Sequence, residues 1–357
     1  MWKSVNRTFV LAASTLFALS SGPASAEDIT LRIASGHPRA NTYVALMQDF
    51  FVPEVTKRVA ARTKHKVEFI EGYGGSMVKP ADTLEGVQSG IIDIGGYNFG
   101  FEPSNLPLHS FQVMLPFGTM SPVMSVKLVR TIYDKVPYLS TVFPDKFNQR
   151  LLALIADTGY NIGTTFEWKE VADLKGRKIA GAGMNLKWLE FAGATPVQST
   201  LPEAYTSMQT GVYNGWIMFP SGWVNFKLTD VAKYYTEVGF GAITWHGLTM
   251  NKRRFDKLPK EVQEVIMEVA REYEAKTGTV NEENYPKQMD ELKRVGAVVA
   301  AVPASVRLDW AKSLTEWPQQ RATELDKQGL PGTQVLKLTM EEAEKLGYQW
   351  PVRYPIK

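Results

Sequence analysis

Few residues of this sequence have types and spacing suited to chemistry. Gly181, Gly183 and Asn185 follow a predicted strand and open a predicted helix, with Glu203 about 20 residues further on, which partly matches a dinucleotide-binding fingerprint. The third glycine of that fingerprint is missing, and Gly193 cuts the helix short. The match is therefore too weak to predict a nucleotide cofactor, and an enzyme is the weaker alternative.

Metal and nucleophile chemistry are also poorly supported. The sequence has no cysteine, and no metallopeptidase, nucleophile-elbow or P-loop motif. Isolated histidines are more often structural residues than metal ligands. The four histidines are widely separated: His37, His65, His109 and His246. We expect no catalytic residue, no metal site and no cofactor.

The first 26 residues have the three parts of a secretory signal. Lys3 and Arg7 precede an apolar run at residues 9–19, and Ala24-Ser25-Ala26 is a small-residue cleavage site. The run is shorter than the ~20 apolar residues of a membrane span. The sequence therefore predicts export to a periplasm, cleavage after Ala26 and no stable membrane insertion.

Length and charge limit the remaining possibilities. Cleavage would leave 331 of the 357 residues, more than the ~250–300 at which single cores tend to split, so two lobes are expected. Lys and Arg number 40 against 37 Asp and Glu, a balance that argues against nucleic acid as a partner.

The elements that must position a site alternate along the chain. Residues 29–34, 67–70 and 90–96 read as strands separated by amphipathic helices, and this β-α-β alternation predicts a largely parallel sheet. An apolar strand at residues 151–155 and a return strand near residues 245–251 are expected to pass between the lobes and to act as hinges.

Several motifs, taken in order, carry a family resemblance. Residues 174–179 read LKGRKI and residues 203–211 read EAYTSMQTG. Shorter matches have the sequences LEGVQSGIID at 84–93, MLPF at 114–117, NK at 251–252 and LP at 258–259. Their order and spacing resemble those of the DctP-like solute-binding proteins of tripartite ATP-independent periplasmic (TRAP) transporters.

The resemblance implies the fold and the function. It implies an α/β, two-lobed periplasmic-binding-protein fold of the class II type, with interleaved lobes and a hinge. Residues 27–150 plus about 245–280 would form lobe I, and residues 151–244 plus about 281–357 would form lobe II with the C-terminal helices. The protein would capture an organic acid and deliver it to TRAP permease subunits. A periplasmic ligand sensor stays open as an alternative, because it would close on its ligand in the same way.

The resemblance also implies a carboxylate-binding arginine at a position that is Ala180 in this sequence. A bidentate arginine is the strongest carboxylate contact, so its loss needs compensation. Asn185 is expected to cap a helix whose first amides, near Gly183, would bind an anion. Arg39 or Lys79, on loops of the first lobe, would be alternative cations, although either is equally compatible with a solvated surface.

Aromatic residues predict the character of the pocket. Trp216 and Phe219 stand where the resemblance leads us to expect polar ligand contacts, and Trp245 lies on the return strand. Large flat residues favour an aromatic or otherwise apolar acid, although each is as compatible with the core as with a pocket. The predicted site is completed by four residues of the first lobe: His37, Tyr97, Asn98 and Phe99.

Overall fold

The computed structural model describes residues 1–2 and 26–357. The predicted export signal therefore lies almost wholly outside the described residues. Among the helices of the described part, none has both the length and the apolar run that crossing a membrane requires.

Nine strands form one mixed sheet in the described part of the chain. They are β1 (Asp28–Ala34), β2 (Lys66–Gly72), β3 (Ile94–Asn98), β4 (Gln149–Thr164), β5 (Lys178–Gly181), β6 (Thr195–Gln198), β7 (Gly215–Met218), β8 (Tyr234–Asn251) and β9 (Val298–Ala301). The order is β2-β1-β3-β8-β4-β7-β5-β6, with β9 beside β8. The strands at each end of the sheet are parallel, as the β-α-β alternation predicts.

Helices cover the sheet. They are α1 (Thr42–Leu46), α2 (Val52–Arg62), α3 (Thr83–Ser89), α4 (Pro122–Lys135), α5 (Tyr138–Phe147), α6 (Leu186–Phe191), α7 (Ala204–Gln209), α8 (Pro220–Asn225), α9 (Lys252–Asp256), α10 (Lys260–Arg294), α11 (Ala304–Ser313), α12 (Trp317–Lys327) and α13 (Gly332–Lys345). Local sequence explains several of their ends. At the start of α4, for example, the Ser121 hydroxyl accepts a hydrogen bond from the Met124 amide and Pro122 takes the first helical position.

Two long antiparallel strands join the ends of the sheet. β4 has 16 residues and β8 has 18, far more than the short crossing segments predicted from sequence. Their pairing is irregular between residues 151 and 162 of β4, and Gly239 and Gly241 of β8 have φ of 72° and 122°. Bulges bend and twist a strand, and the predicted hinge segments, residues 151–155 and 245–251, overlap this irregular stretch.

The long helix α10 supports the irregular part of β4. The Glu274 carboxylate accepts a hydrogen bond from the Leu154 amide, at 2.7 Å, and the Asn281 amide donates to the Ala156 carbonyl, at 2.9 Å. Side chains of α10 thus satisfy backbone groups that regular pairing would otherwise satisfy.

The C-terminal region folds back onto the middle of the chain. Glu342 of α13 pairs with Lys135 of α4 at 2.7 Å, and the Tyr354 hydroxyl donates to the Pro116 carbonyl at 2.8 Å. Residues 281–357, predicted to belong to lobe II, therefore contact a segment that was predicted to belong to lobe I. The lobe boundaries stay a prediction.

Candidate ligand-binding site

A cavity of about 50 Å³ lies beside the irregular part of β4 and β8. Both ends of the sheet contribute to its walls. It is lined by His37, Asn41, Asn98, Phe101, Asp157, Tyr160, Ala182, Asn185, Leu201, Trp216, Ile217, Met218, Phe219, Trp245 and His246.

Half of the predicted site residues meet at this cavity. The six that line it are His37, Asn98, Asn185, Trp216, Phe219 and Trp245. They come from segments far apart in sequence, which β3, β4, β7 and β8 bring together. The other six lie elsewhere, each for an identifiable reason.

Neither predicted cation reaches the cavity. Arg39 is engaged on the surface by Asp49, with two guanidinium-to-carboxylate bonds of 2.7 Å. Lys79 is exposed, and its ammonium lies near Gly75. The structure therefore places neither side chain among the cavity-lining residues, and the replacement of the family arginine by one of them stays a prediction. Within the residues that the structure describes, no Lys or Arg side chain lines the cavity.

Three other predicted contacts belong to the core. The Tyr97 hydroxyl donates to Gln149 at 3.0 Å, and the Tyr97 ring packs edge-on against Phe99 with ring centroids 5.6 Å apart. Ala180 is fully buried on β5, directly beside Trp216 of β7. All three side chains are buried against other protein groups and are not among the cavity-lining residues, so their contact with a ligand stays a prediction.

The predicted anion site at Gly183 is already occupied by protein groups. The Gly183 amide donates to Gln198 Oε1 and the Ala182 amide donates to Asn185 Oδ1, both at 2.9 Å. Asn185 adopts a helical conformation and does not cap α6. These two amides are therefore already paired within the protein, and Gly183 is not among the cavity-lining residues; the predicted anion site at the start of α6 stays a prediction.

Two asparagine amides present donors to the cavity instead. Asn98 Oδ1 accepts from the Gly100 amide at 2.5 Å, as Asn185 Oδ1 does from Ala182. These bonds set the orientation of both side-chain amides. In the described part of the chain, neither Nδ2 group has a hydrogen-bond partner. One donor comes from each end of the sheet.

A buried carboxylate, missed by the sequence analysis, lies in the cavity wall. Asp157 Oδ2 accepts hydrogen bonds from the Tyr160 hydroxyl at 2.9 Å and from Trp245 Nε1 at 2.8 Å, and His246 Nδ1 lies 3.3 Å away. Burial raises the pKa of Asp157, but the His246 imidazole and these hydrogen bonds outweigh it and lower the pKa below its ordinary value. Asp157 is therefore ionised at neutral pH.

His37 does not neutralise this charge. Its Nδ1 bonds to the Tyr43 hydroxyl at 2.9 Å, which in turn bonds to Ser35 at 2.8 Å. Burial and, second, the nearby His246 lower the pKa of His37 to about 3. The His37 ring is therefore uncharged at neutral pH.

Aromatic rings form much of the remaining wall. Tyr160 packs edge-to-face against Phe219, with centroids 5.2 Å apart, and against Trp245 at 6.0 Å. Trp216 packs edge-on against Tyr213 at 5.7 Å and is 2% exposed. The cavity thus combines flat apolar surfaces with a few polar groups, as ligand pockets commonly do.

Two contacts close the cleft above the cavity. The Asn225 side-chain amide of α8 donates to the Ala40 carbonyl at 2.6 Å. Gly183 and Gly100 approach so closely that a Cβ on Gly183 would lie 2.9 Å from the Gly100 carbonyl oxygen. Both contacts join segments that the crossing strands separate, so the structure has a closed arrangement.

Two sheet ends joined by crossing strands, with a cavity at the crossing, are the arrangement of a two-lobed binding protein. The chain belongs to the DctP family, the bacterial extracellular solute-binding proteins of family 7, whose model matches residues 49–324. The family and the two-lobed α/β fold predicted from sequence are confirmed.

Relatives and solved structures agree with this assignment. A solute-binding protein of Albidiferax ferrireducens is 27% identical over 271 residues, covering 74% of this chain and 77% of its own. A marine metagenome TRAP solute-binding protein specific for aromatic acid ligands superposes with a TM-score of 0.78 at 20% identity, covering 89% and 99% of the two chains. A TRAP periplasmic protein of Bordetella bronchiseptica with bound mandelate has a TM-score of 0.77 at 22% identity, with coverage of 89% and 99%.

Proposed function

We propose that this protein captures an organic acid between its lobes and delivers it to the membrane permease of a TRAP transporter. The observation that carries the proposal is the cavity at the strand crossing. Asn98 and Asn185 supply an amide donor from each side of the cleft, and Trp216 and Phe219 supply apolar surface. The two similar structures hold an aromatic acid and mandelate, which supports an acid with an aromatic or bulky apolar body.

The two amides set the type of acid expected. A carboxylate held between the two sides of the cleft can accept one hydrogen bond from Asn98 and one from Asn185. Hydrogen bonds to charged groups contribute roughly 1.5–3 kcal/mol each, and a bond from an amide to a carboxylate is of this kind. Two such bonds accommodate one carboxylate without an arginine, whereas a second carboxylate would lie near Asp157. We expect monocarboxylates to bind and dicarboxylates to bind poorly.

We further propose that the protein does no chemistry on its ligand and works in the periplasm. The family supports the proposal, because its members are extracellular solute-binding proteins. The described residues contain no group of three or more His, Asp or Glu side chains placed to hold a metal ion.

The test is a thermal-shift screen of organic acids followed by calorimetry, since a ligand that binds only the folded form raises its apparent stability. Bulky aromatic monocarboxylates should bind more tightly than succinate or malate. Trp216→Ala and Phe219→Ala should each cost about 1–3 kcal/mol of binding free energy. Phe191→Ala is the matched control, because Phe191 is 37% exposed and is not among the cavity-lining residues. Tight succinate binding, or normal binding by both cavity variants, would overturn the aromatic-acid reading.

A further inference from the structure

We propose that the captured acid also carries a positively charged group, and that Asp157 binds that group. The inference rests on the proposed function and specifies its ligand: a zwitterion whose carboxylate meets the amides of Asn98 and Asn185. Four features of the cavity support it, and each concerns the charge that this site presents to a ligand.

The first feature is that only one oxygen of Asp157 has protein donors. Oδ2 has Tyr160 and Trp245 as donors, whereas Oδ1 has no hydrogen bond from any described residue. Asp157 is 7% exposed and lines the cavity. A buried carboxylate is expensive unless it is paired and hydrogen-bonded. A ligand N–H or cation would supply the missing partner of Oδ1.

The second feature is the lack of a charged partner for Oδ1 among the described residues. His37 is uncharged and bound to Tyr43, and no Lys or Arg of the described residues lines the cavity. His246 Nδ1 lies 3.3 Å from Asp157 Oδ2, and this imidazole helps to keep Asp157 ionised, but the contact is with Oδ2. The partners that the protein supplies to Asp157 thus lie at Oδ2.

The third feature is the effect of this charge on a plain acid. Two like charges sharing a site of low dielectric constant disfavour one another. A ligand with only a carboxylate would bring a second negative charge into the cavity that Asp157 lines. A ligand with its own positive group would neutralise Asp157 and keep its carboxylate for the two amides.

The fourth feature is the ring environment of Asp157. Tyr160 and Trp245, its two hydrogen-bond donors, both line the cavity, and Phe219 packs against Tyr160. Aromatic faces attract ammonium and other organic cations, most strongly where water is excluded. A carboxylate flanked by aromatic rings is a suitable site for a substituted ammonium or a pyridinium group.

The experiment compares ligand pairs of the same shape that differ in charge. One pair is N-methylpyridinium-3-carboxylate and 3-methylbenzoate; the other is 4-(aminomethyl)benzoate and 4-ethylbenzoate. In calorimetry with the mature protein, the zwitterion of at least one pair should bind about tenfold or more tighter than its partner. Asp157→Asn should reduce that ratio to about threefold or less. Asp145→Asn, which removes an exposed carboxylate from α5, should leave the ratio unchanged.

Each result decides between the two proposals. The inference about Asp157 is overturned if 3-methylbenzoate and 4-ethylbenzoate bind as tightly as the zwitterions. It is also overturned if acids from the screen bind while both zwitterions do not. In either case the organic-acid function stands. If no acid of any kind binds, the proposed function fails with it. Should Asp157→Asn not fold, the comparison of ligand pairs on the unsubstituted protein still decides the inference.

Discussion

Closure of the cleft can be tested at a single glycine, because Gly183 meets the opposite side of the cleft through its backbone. Gly183 has φ of 62°, and a Cβ built on it lies 2.9 Å from the carbonyl oxygen of Gly100. Real Cβ atoms essentially never approach a neighbour so closely, and the obstacle is backbone that cannot rotate away. Gly183→Ala should therefore oppose the closed state specifically.

Two separate effects determine the size of this change. A non-glycine residue at positive φ costs about 1–2 kcal/mol, and that cost applies to the open and closed forms alike. The contact with Gly100 exists only when the cleft is closed, and overpacking of this kind typically costs about 1–3 kcal/mol. Because ligand binding requires closure, the dissociation constant should rise about 5- to 150-fold.

A second glycine separates the two effects. Gly211 lies on the same side of the cleft with φ of 74°, and a Cβ there would meet nothing within 4 Å. Gly211→Ala should lower the unfolding free energy by about 1 kcal/mol without changing affinity. Calorimetry with an acid from the screen gives the affinities, and small-angle scattering gives the ligand-induced compaction. Equal affinities for the two variants would refute the closure argument.

Three other outcomes are expected. Asn225→Ala removes the bond to Ala40 and should weaken ligand binding by about 1 kcal/mol in calorimetry; an unchanged dissociation constant would count against this closing contact. Burial lowers the pKa of His37 and His109 to about 3 and 4, so the unfolded chain takes up protons first as pH falls below 6.5. Each histidine should therefore lower the free energy of unfolding, measured with urea, by about 2 kcal/mol between its value above pH 6.5 and its value at pH 5. His109→Gln should halve the combined loss from the two histidines. Equal urea midpoints at pH 7 and pH 5 would contradict the argument. Periplasmic protein should begin at or near Glu27 in N-terminal sequencing; intact Met1 on a soluble cytoplasmic product would contradict export.

The family and the outline of the fold were predictable because they depend on short-range patterns. Alternating apolar residues, helix-start signals such as Ser121-Pro122 and ordered motifs each act within a few residues. The length of β4 was not predictable in the same way. Its apolar run ends at Ile155, and the polar residues that follow occupy an irregular stretch that α10 supports from a distance.

The same limit explains why Asp157 was missed. It comes directly after a predicted strand, where a lone acidic residue ordinarily indicates an exposed turn. Its burial depends on Trp245 and His246, which β8 brings to it from a distant part of the sequence. The one available signal was an acidic residue between an apolar strand and Gly159.

The surroundings of Arg39 and Gly183 were unpredictable for a related reason. A sequence shows which groups can bind an anion, but it does not show whether another side chain already binds them. Asp49 occupies the Arg39 guanidinium, and Gln198 occupies the Gly183 amide. The side-chain amides of Asn98 and Asn185 can still donate to a ligand, because backbone amides bind their Oδ1 atoms and leave their Nδ2 groups free.

The absence of an arginine at position 180 and the presence of a tryptophan at position 216 are linked in the structure. Ala180 of β5 and Trp216 of β7 are register partners, and both side chains pack in the same buried cluster. Because interiors are close-packed, a long cationic side chain at position 180 would have to displace the indole. The small side chain of Ala180 therefore leaves room for Trp216 but supplies no cation. Asp157 is the only carboxylate or fixed charge among the described lining residues. An aromatic wall and a demand for a positively charged ligand group thus have one structural origin.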